Sequence, residues 1–151
     1  MRSMAMSFEV CTSIEIDAPA ERVWSVLADL GAYADWNPMI RSASGELVEG
    51  SRLDLRFEPD GSKPRRFHPR LLMVSPPGEL RWLGNPGVPG FFESEHYFKL
   101  EPEDDGACRL EHNMLFRGLV VGFVRKRMEA AVLEPFEEMN RALKRRAEEK
   151  D

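Results

Sequence analysis

An apolar stripe near the C-terminal end of this 151-residue chain constrains its fold more than any other feature. The stripe recurs at intervals of three or four residues, which is typical of one face of an α-helix, and comprises Val124, Met128, Val132, Phe136, Met139, Leu143 and Ala147. About thirty helical residues span roughly 45 Å, whereas a domain of this length is about 40 Å across. We therefore predict one long helix that crosses the domain, kinked at Pro135, with the rest of the chain packed against its stripe.

The N-terminal part of the chain begins with a different period. Apolar and polar residues alternate from Phe8 to Asp17, which predicts a strand with one buried face. Helical spacing follows from Pro19 and ends at Gly31, and a further helical turn stops at Pro38 because proline lacks the backbone donor that a helix needs. Two short helices are therefore predicted after the first strand, and the residues before that strand, 1–7, are predicted to be frayed.

Between the short helices and the long one, apolar runs alternate with turn residues, which predicts a series of strands. One strand lies near residues 67–74, where the run 71–74 is apolar on both faces and indicates a bulge or a covered edge. The last two strands are predicted at 93–101 and 109–116. Strands and helices together predict a single α+β domain made of the whole chain.

The charge balance narrows the class of partner. Lysine and arginine number 21 and aspartate and glutamate number 26, so the formal net charge is −5. Proteins that bind nucleic acid normally carry a basic surplus, because neutralising phosphates supplies much of their affinity, and nucleic acid is therefore disfavoured. No stretch reaches the roughly 20 apolar residues of a membrane helix, so we expect no integral membrane association.

The two cysteines, Cys11 and Cys108, are predicted to be free thiols in a reducing cytoplasm rather than a disulfide. No histidine lies near them in the spacing of metal ligands, and the chain has no glycine-rich phosphate loop and no nucleophile motif. The N-terminus shows no apolar secretory signal. We therefore expect a cytoplasmic protein that uses neither a metal nor a cofactor.

Two histidines are the candidate polar groups of the interior. His96 and His112 lie on apolar faces of the last two predicted strands, and both enter the interior if those faces point inward. Such a pair either orients a ligand or transfers protons, or it is satisfied by hydrogen bonds within the core. The second alternative is favoured, because catalysis would need a third orienting group that the sequence does not place.

The segment from Gly84 to Gly90 is the richest in glycine and proline, and it leads directly into Phe91 and Phe92. Such a loop either forms a lid over a cavity mouth or is a long connection that its phenylalanines anchor to the core. The sequence leaves both interpretations open.

Five local motifs follow one another along the chain: Ile16–Trp24, Tyr33–Pro38, Pro76-Pro77 before Leu80–Trp82, Glu95–Leu100 and Phe136–Lys144. Because its motifs occur in this order and at this spacing, the chain resembles the SRPBCC superfamily, which has the START-like helix-grip fold. Within that superfamily it is similar to the polyketide cyclase/dehydrase and lipid-transport group. The resemblance implies a curved seven-stranded antiparallel sheet around the long C-terminal helix, with two short helices between strands 1 and 2 and a hydrophobic pocket between sheet and helix.

Our first hypothesis is that the chain binds a small hydrophobic or amphipathic ligand, resembling a lipid, a polyketide or an aromatic compound, in an internal cavity. The expected apolar wall comprises Trp36, Phe57, Trp82, Phe92, Phe98, Met114, Phe116, Val124 and Met128. His96 and His112 would supply the few polar contacts that orient a ligand in such a pocket.

Two alternatives remain. The first is an enzyme of the cyclase or dehydratase type acting on a polyketide-like substrate, with His96 or His112 as general acid or base. The second is a protein-interaction module, which a packed interior and a large exposed apolar patch would favour. The sequence leaves open the identity of the ligand, whether any reaction is catalysed, and whether the chain forms a homodimer.

Overall fold

The structure, a computed structural model, describes residues 7–59, 63–84 and 92–149. The predictions of a frayed segment before the first strand and of a lid between Gly84 and Gly90 fall mainly on residues 1–6 and 85–90. Those residues lie outside the described parts of the chain.

The elements follow the order that the sequence predicts. The first strand and the two short helices are β1 (Ser7–Ile16), α1 (Ala20–Ala28) and, after a 3₁₀ turn at Leu30–Ala32, α2 (Tyr33–Trp36). The strands that follow are β2 (Ile40–Ser44), β3 (Asp54–Phe57), β4 (Arg65–Phe67), β5 (Arg70–Ser75), β6 (Glu79–Gly84), β7 (Glu93–Pro102) and β8 (Cys108–Arg117). The chain ends in the long helix α3 (Val121–Glu148).

The strands form two antiparallel sheets that meet along one edge. The larger sheet has the order β1-β8-β7-β6-β5 and the smaller one has the order β2-β3-β4. Where they meet, Leu53 N–H donates to Pro69 O at 2.9 Å and Leu71 N–H donates to Ser51 O at 2.9 Å. This junction continues the hydrogen bonding from one sheet to the other, so the strands enclose one side of α3.

The antiparallel sheet and the long C-terminal helix are as predicted, but the described residues form eight strands where seven were expected. The strand predicted near residues 67–74 is divided, because β4 ends at Phe67 and β5 begins at Arg70. Pro69 lies at this break, and a proline cannot donate to a strand ladder. The pairing of β5 with β6 also shifts between Leu71 and Met73, which is the bulge that the doubly apolar run indicates.

The helix α3 has 28 residues and continues through Pro135. Its C-terminal half is anchored in the main core, since Phe136, Met139 and Leu143 are at most 1% exposed. Arg22 from α1 also donates from Nε to Ala147 O at 3.1 Å. Such a contact satisfies a carbonyl that the helix end leaves without an intrahelical donor.

The described part of the chain contains no helix long and apolar enough to cross a membrane.

Candidate functional site

A cavity of about 460 Å³ lies between the two sheets and the N-terminal half of α3. Its wall is largely carbon, and it comprises Met39, Leu55, Phe57, Pro59, Lys63, Arg65, Phe67, Pro69, Trp82, Gly84, Phe92, Ser94, His96, Met114, Phe116, Val120, Val124, Met128, Ala131, Val132, Pro135 and Phe136. Lys63 and Arg65 are both exposed, so they place two cations at the solvent end of the cavity. A mostly apolar wall with a few polar groups is typical of small-molecule sites.

The cavity exists because the apolar stripe of α3 is fully buried in the C-terminal half of the helix but only half-buried in the N-terminal half. Val124 and Met128 face the cavity and are half-buried, whereas Met139 and Leu143 further along the same stripe are fully buried. Phe136 stands at the boundary, because it lines the cavity and is only 1% exposed. The sheets therefore close on the C-terminal half of the stripe and leave space beside the N-terminal half.

Eight of the eleven predicted site residues line this cavity, and they are Phe57, Trp82, Phe92, His96, Met114, Phe116, Val124 and Met128. Phe98 does not, because it packs between Trp82 and His112 with ring centroids 5.7 and 4.3 Å away. His112 lies behind His96 and is not part of the wall. Trp36 packs edge-on against Tyr33 and lines a separate polar pocket with Arg22 and Arg146.

Sequence reasoning missed other wall residues, although some of them carried a signal. Alternation along β3 relates Leu55 to Phe57, and helical spacing relates Ala131, Val132 and Pro135 to Val124 and Met128. Lys63 carried no such signal, because it lies in the connection before β4, whose path the local pattern does not specify. Arg65 begins β4, but the sequence predicts a strand only near residues 67–74.

His96 and His112 form a direct pair inside the protein. Their Nε2 atoms lie 2.7 Å apart, and the two residues are 1% and 0% exposed. Strand pairing places them diagonally, since His96 is opposite Met114 and Phe98 is opposite His112. The His112 ring also stacks on Phe136, with centroids 3.9 Å apart, so the helix holds the pair in place.

The third orienting group that the sequence did not place is Asn140 on α3. His112 Nδ1 lies 2.7 Å from Asn140 Oδ1, and Asn140 Nδ2 donates to Thr12 Oγ1 at 2.8 Å. The Thr12 hydroxyl donates in turn to the His112 backbone carbonyl at 2.5 Å. The signal for Asn140 was a polar residue beside Met139 on the buried face of the predicted helix.

Burial keeps both histidines neutral. Desolvation lowers the pKa of His112 to about 3, although its hydrogen bond to Asn140 acts in the opposite direction. Desolvation also holds the pKa of His96 well below its usual value, and the nearby His112 adds to this effect. Both imidazoles are therefore neutral, and of the two His96 is the one that lines the cavity.

Among residues 7–59, 63–84 and 92–149, no three His, Cys, Asp or Glu side chains come together as a metal site would require.

Several solved structures share this fold. The Zhui aromatase/cyclase from Streptomyces sp. R1128 is 22% identical, with a TM-score of 0.76 and 94% of each chain covered. A START superfamily protein from Mycobacterium smegmatis is 23% identical, with a TM-score of 0.71 over 93% of this chain and 97% of that one. Truncated norcoclaurine synthase from Thalictrum flavum is 16% identical, with a TM-score of 0.73 and 96% of each chain covered. At these identities the similarity shows the fold alone.

No curated protein matches the sequence. The sequence model of the family described as polyketide cyclase / dehydrase and lipid transport matches residues 7–148, which is nearly the whole chain. The chain therefore belongs to the polyketide cyclase/dehydrase and lipid-transport family, as its sequence motifs predict.

Proposed function

We propose that this protein binds a small hydrophobic or amphipathic molecule in the cavity beside the N-terminal half of α3. The observation that carries the proposal is a cavity of about 460 Å³ whose largely apolar wall includes one buried histidine, His96. Cavities of roughly 300–1,000 Å³ with few polar groups are typical of sites for small organic ligands. The family description, which covers lipid transport and polyketide cyclases, supports the same class of ligand.

An enzyme of the cyclase or dehydratase type is the second candidate. The specific observation in its favour is that His96, His112 and Asn140 form a connected chain that begins at the cavity wall. Against it, an efficient general acid or base has a pKa near the working pH, whereas burial lowers the pKa values of both histidines. Ligand binding requires only hydrogen bonds from these residues, whereas acid–base turnover would also require a histidine pKa near the working pH. Cyclisation that persists after His96→Phe would remove the acid–base role.

The protein-interaction alternative has less support. A packed interior would favour this alternative, whereas the described residues leave a cavity next to α3. Leu119 and Phe123 are 60% and 90% exposed near the start of the helix, but two exposed side chains do not make a large patch. A large contiguous patch would be expected of an interaction surface.

The test is a ligand screen on two matched tryptophan variants of α3. Val124 faces the cavity, so Val124→Trp should fill part of it, whereas Leu133 is 43% exposed and Leu133→Trp serves as the control. Lipids, polyketides, flavonoids and quinones are screened by thermal shift, and a ligand at 100 times its Kd stabilises by about 2.7 kcal/mol. We expect hits that Val124→Trp abolishes and Leu133→Trp retains. A screen without hits, or hits that survive Val124→Trp, would contradict the proposal.

We further propose a cytoplasmic location, supported by the two free cysteines. Cys11 is exposed and Cys108 is buried, and neither forms a disulfide. Oxidising compartments favour paired cysteines, so free thiols suit a reducing environment. Thiol labelling of the protein in intact cells and in separated fractions would test this location. Recovery from an extracellular fraction would contradict it.

A further inference from the structure

We propose that the ligand presents an un-ionised hydrogen-bond donor, such as a phenol or alcohol hydroxyl, to Nδ1 of His96. This inference rests on the proposed ligand-binding function and specifies the chemistry of the ligand's inner end. It follows from the one arrangement of protons that satisfies the polar chain from Thr12 to His96.

The proton assignment starts at a backbone carbonyl, which can only accept. Thr12 Oγ1 lies 2.5 Å from His112 O, so the hydroxyl proton of Thr12 must be in this hydrogen bond. Thr12 Oγ1 is then an acceptor toward Asn140, which places the amide nitrogen of Asn140 at Thr12 and its oxygen at His112. The orientation of Asn140 is thereby fixed by its partners.

The tautomer of each histidine follows. Asn140 Oδ1 only accepts, so Nδ1 of His112 must carry a proton. A neutral imidazole has one proton, so Nε2 of His112 accepts and Nε2 of His96 donates across the 2.7 Å contact. His96 then has its proton on Nε2 and a lone pair on Nδ1.

That lone pair is available to a ligand. Nδ1 of His96 has no hydrogen-bond partner among the described residues. It differs from Trp36 Nε1 and Asn37 Nδ2, which also lack a partner but are fully buried. Because His96 lines the cavity and this nitrogen is not among the fully buried unpartnered atoms, a ligand in the cavity can reach the free acceptor.

The free acceptor selects among ligand groups. A hydroxyl can donate to it, whereas a ketone, an ether or a carboxylate would place one lone pair against another in an apolar environment. Reversing the chain would require a proton on Nδ1 of His96 and would leave Nδ1 of His112 and Oδ1 of Asn140 as two acceptors facing each other. Asn140 is therefore a positioning residue, which acts on the ligand through the histidine pair.

The first test reads the protons directly in the ligand-free protein. Long-range ¹H–¹⁵N NMR of the imidazoles distinguishes protonated from unprotonated ring nitrogens. We expect the proton on Nε2 in His96 and on Nδ1 in His112, and Asn140→Leu should remove the fixed assignment while the exposed His68 stays unchanged. A proton on Nδ1 of His96 in the wild-type protein would overturn the inference.

The second test compares 2-naphthol with 2-methylnaphthalene, which has a methyl group in place of the hydroxyl. Calorimetry gives the ratio of their Kd values for the wild type, for His96→Phe and for the control His68→Phe. One buried hydrogen bond changes affinity by about tenfold, so the preference for 2-naphthol should fall about tenfold in His96→Phe and persist in His68→Phe. Binding of both compounds with the same ratio in all three proteins would overturn the inference alone. Binding of neither compound would contradict the proposed function as well.

Discussion

The two halves of α3 carry one apolar stripe but have different surroundings. In the C-terminal half Phe136, Met139 and Leu143 are sealed in the core, at most 1% exposed. In the N-terminal half Val124 and Met128 are half-buried and face a cavity of about 460 Å³, although Met128 also packs on its other side against Phe8, Val10 and Phe116. Side chains beside empty space lose the dispersion contacts that a filled core would provide. Along this single helix, the side chains that stabilise the core are therefore separated from those that line the proposed ligand site.

Polar contacts follow the same division. The C-terminal half holds Asn140 in the histidine network, and near its end Lys144 Nζ donates to Glu15 O at 3.0 Å. In the N-terminal half, the described ion pair between Arg125 and Glu129 is longer, at 3.8 Å, and lies within the helix itself. Polar contacts therefore tie the C-terminal half to β1 and to the core.

The largest expected effect is the difference in unfolding free energy between a truncation in the C-terminal half of α3 and one in the N-terminal half. Leu143→Ala should cost about 3 kcal/mol, because removing a fully buried leucine leaves a cavity in packed surroundings. Met128→Ala should cost less than about 1 kcal/mol, because Met128 already borders empty space. Urea denaturation at pH 7 measures both. Equal losses would show that the two halves do not differ in packing.

The pH dependence of stability tests the sealed histidines. Their folded pKa values lie below the usual unfolded value near 6.5, with His112 at about 3, so the unfolded chain binds more protons between pH 6.5 and about 3. Stability is therefore fully present above pH 6.5 and is lost as the pH falls, by about 1 kcal/mol for His112 between pH 7 and 5.5, and the lowered pKa of His96 adds to this loss. Urea midpoints of the wild type and of the His96→Phe/His112→Phe variant should diverge in this range. Parallel pH profiles would contradict the account.

Asn140→Leu should lower the free energy of unfolding almost as much as Leu143→Ala does, although it adds apolar surface. The substitution leaves Nδ1 of His112 without its acceptor in a buried site, which costs about 2 kcal/mol. Asn140→Asp keeps an acceptor for His112 and should recover part of the loss. If Asn140→Leu were as stable as the wild type, the network would contribute nothing to the sealed half.

The smallest effect is expected at the exposed start of the helix. Phe123 is 90% exposed, so Phe123→Ser should change the free energy of unfolding by less than about 0.5 kcal/mol. A loss similar to that of Leu143→Ala would mean that the N-terminal half is packed against something, and the contrast between the halves would fail.

Much of the fold could be predicted because its patterns are local. Alternation along β1 and the three- and four-residue spacing of α3 identify the buried faces without knowledge of partners. The same spacing runs through both halves of α3, so it could not show which half borders a cavity. Asn140 pairs with Thr12, 128 residues away in sequence, and such a contact leaves no local pattern. The additional strand depends on Pro69 at one break in the ladder.

The most direct test of the division of α3 is amide chemical-shift mapping by NMR during a titration with 2-naphthol. We expect the perturbed amides to cluster in residues 124–132 of α3 and around His96, and the amides of residues 139–147 to keep their chemical shifts. Perturbations centred on residues 139–147, or scattered over the surface without a cluster at the cavity, would contradict it.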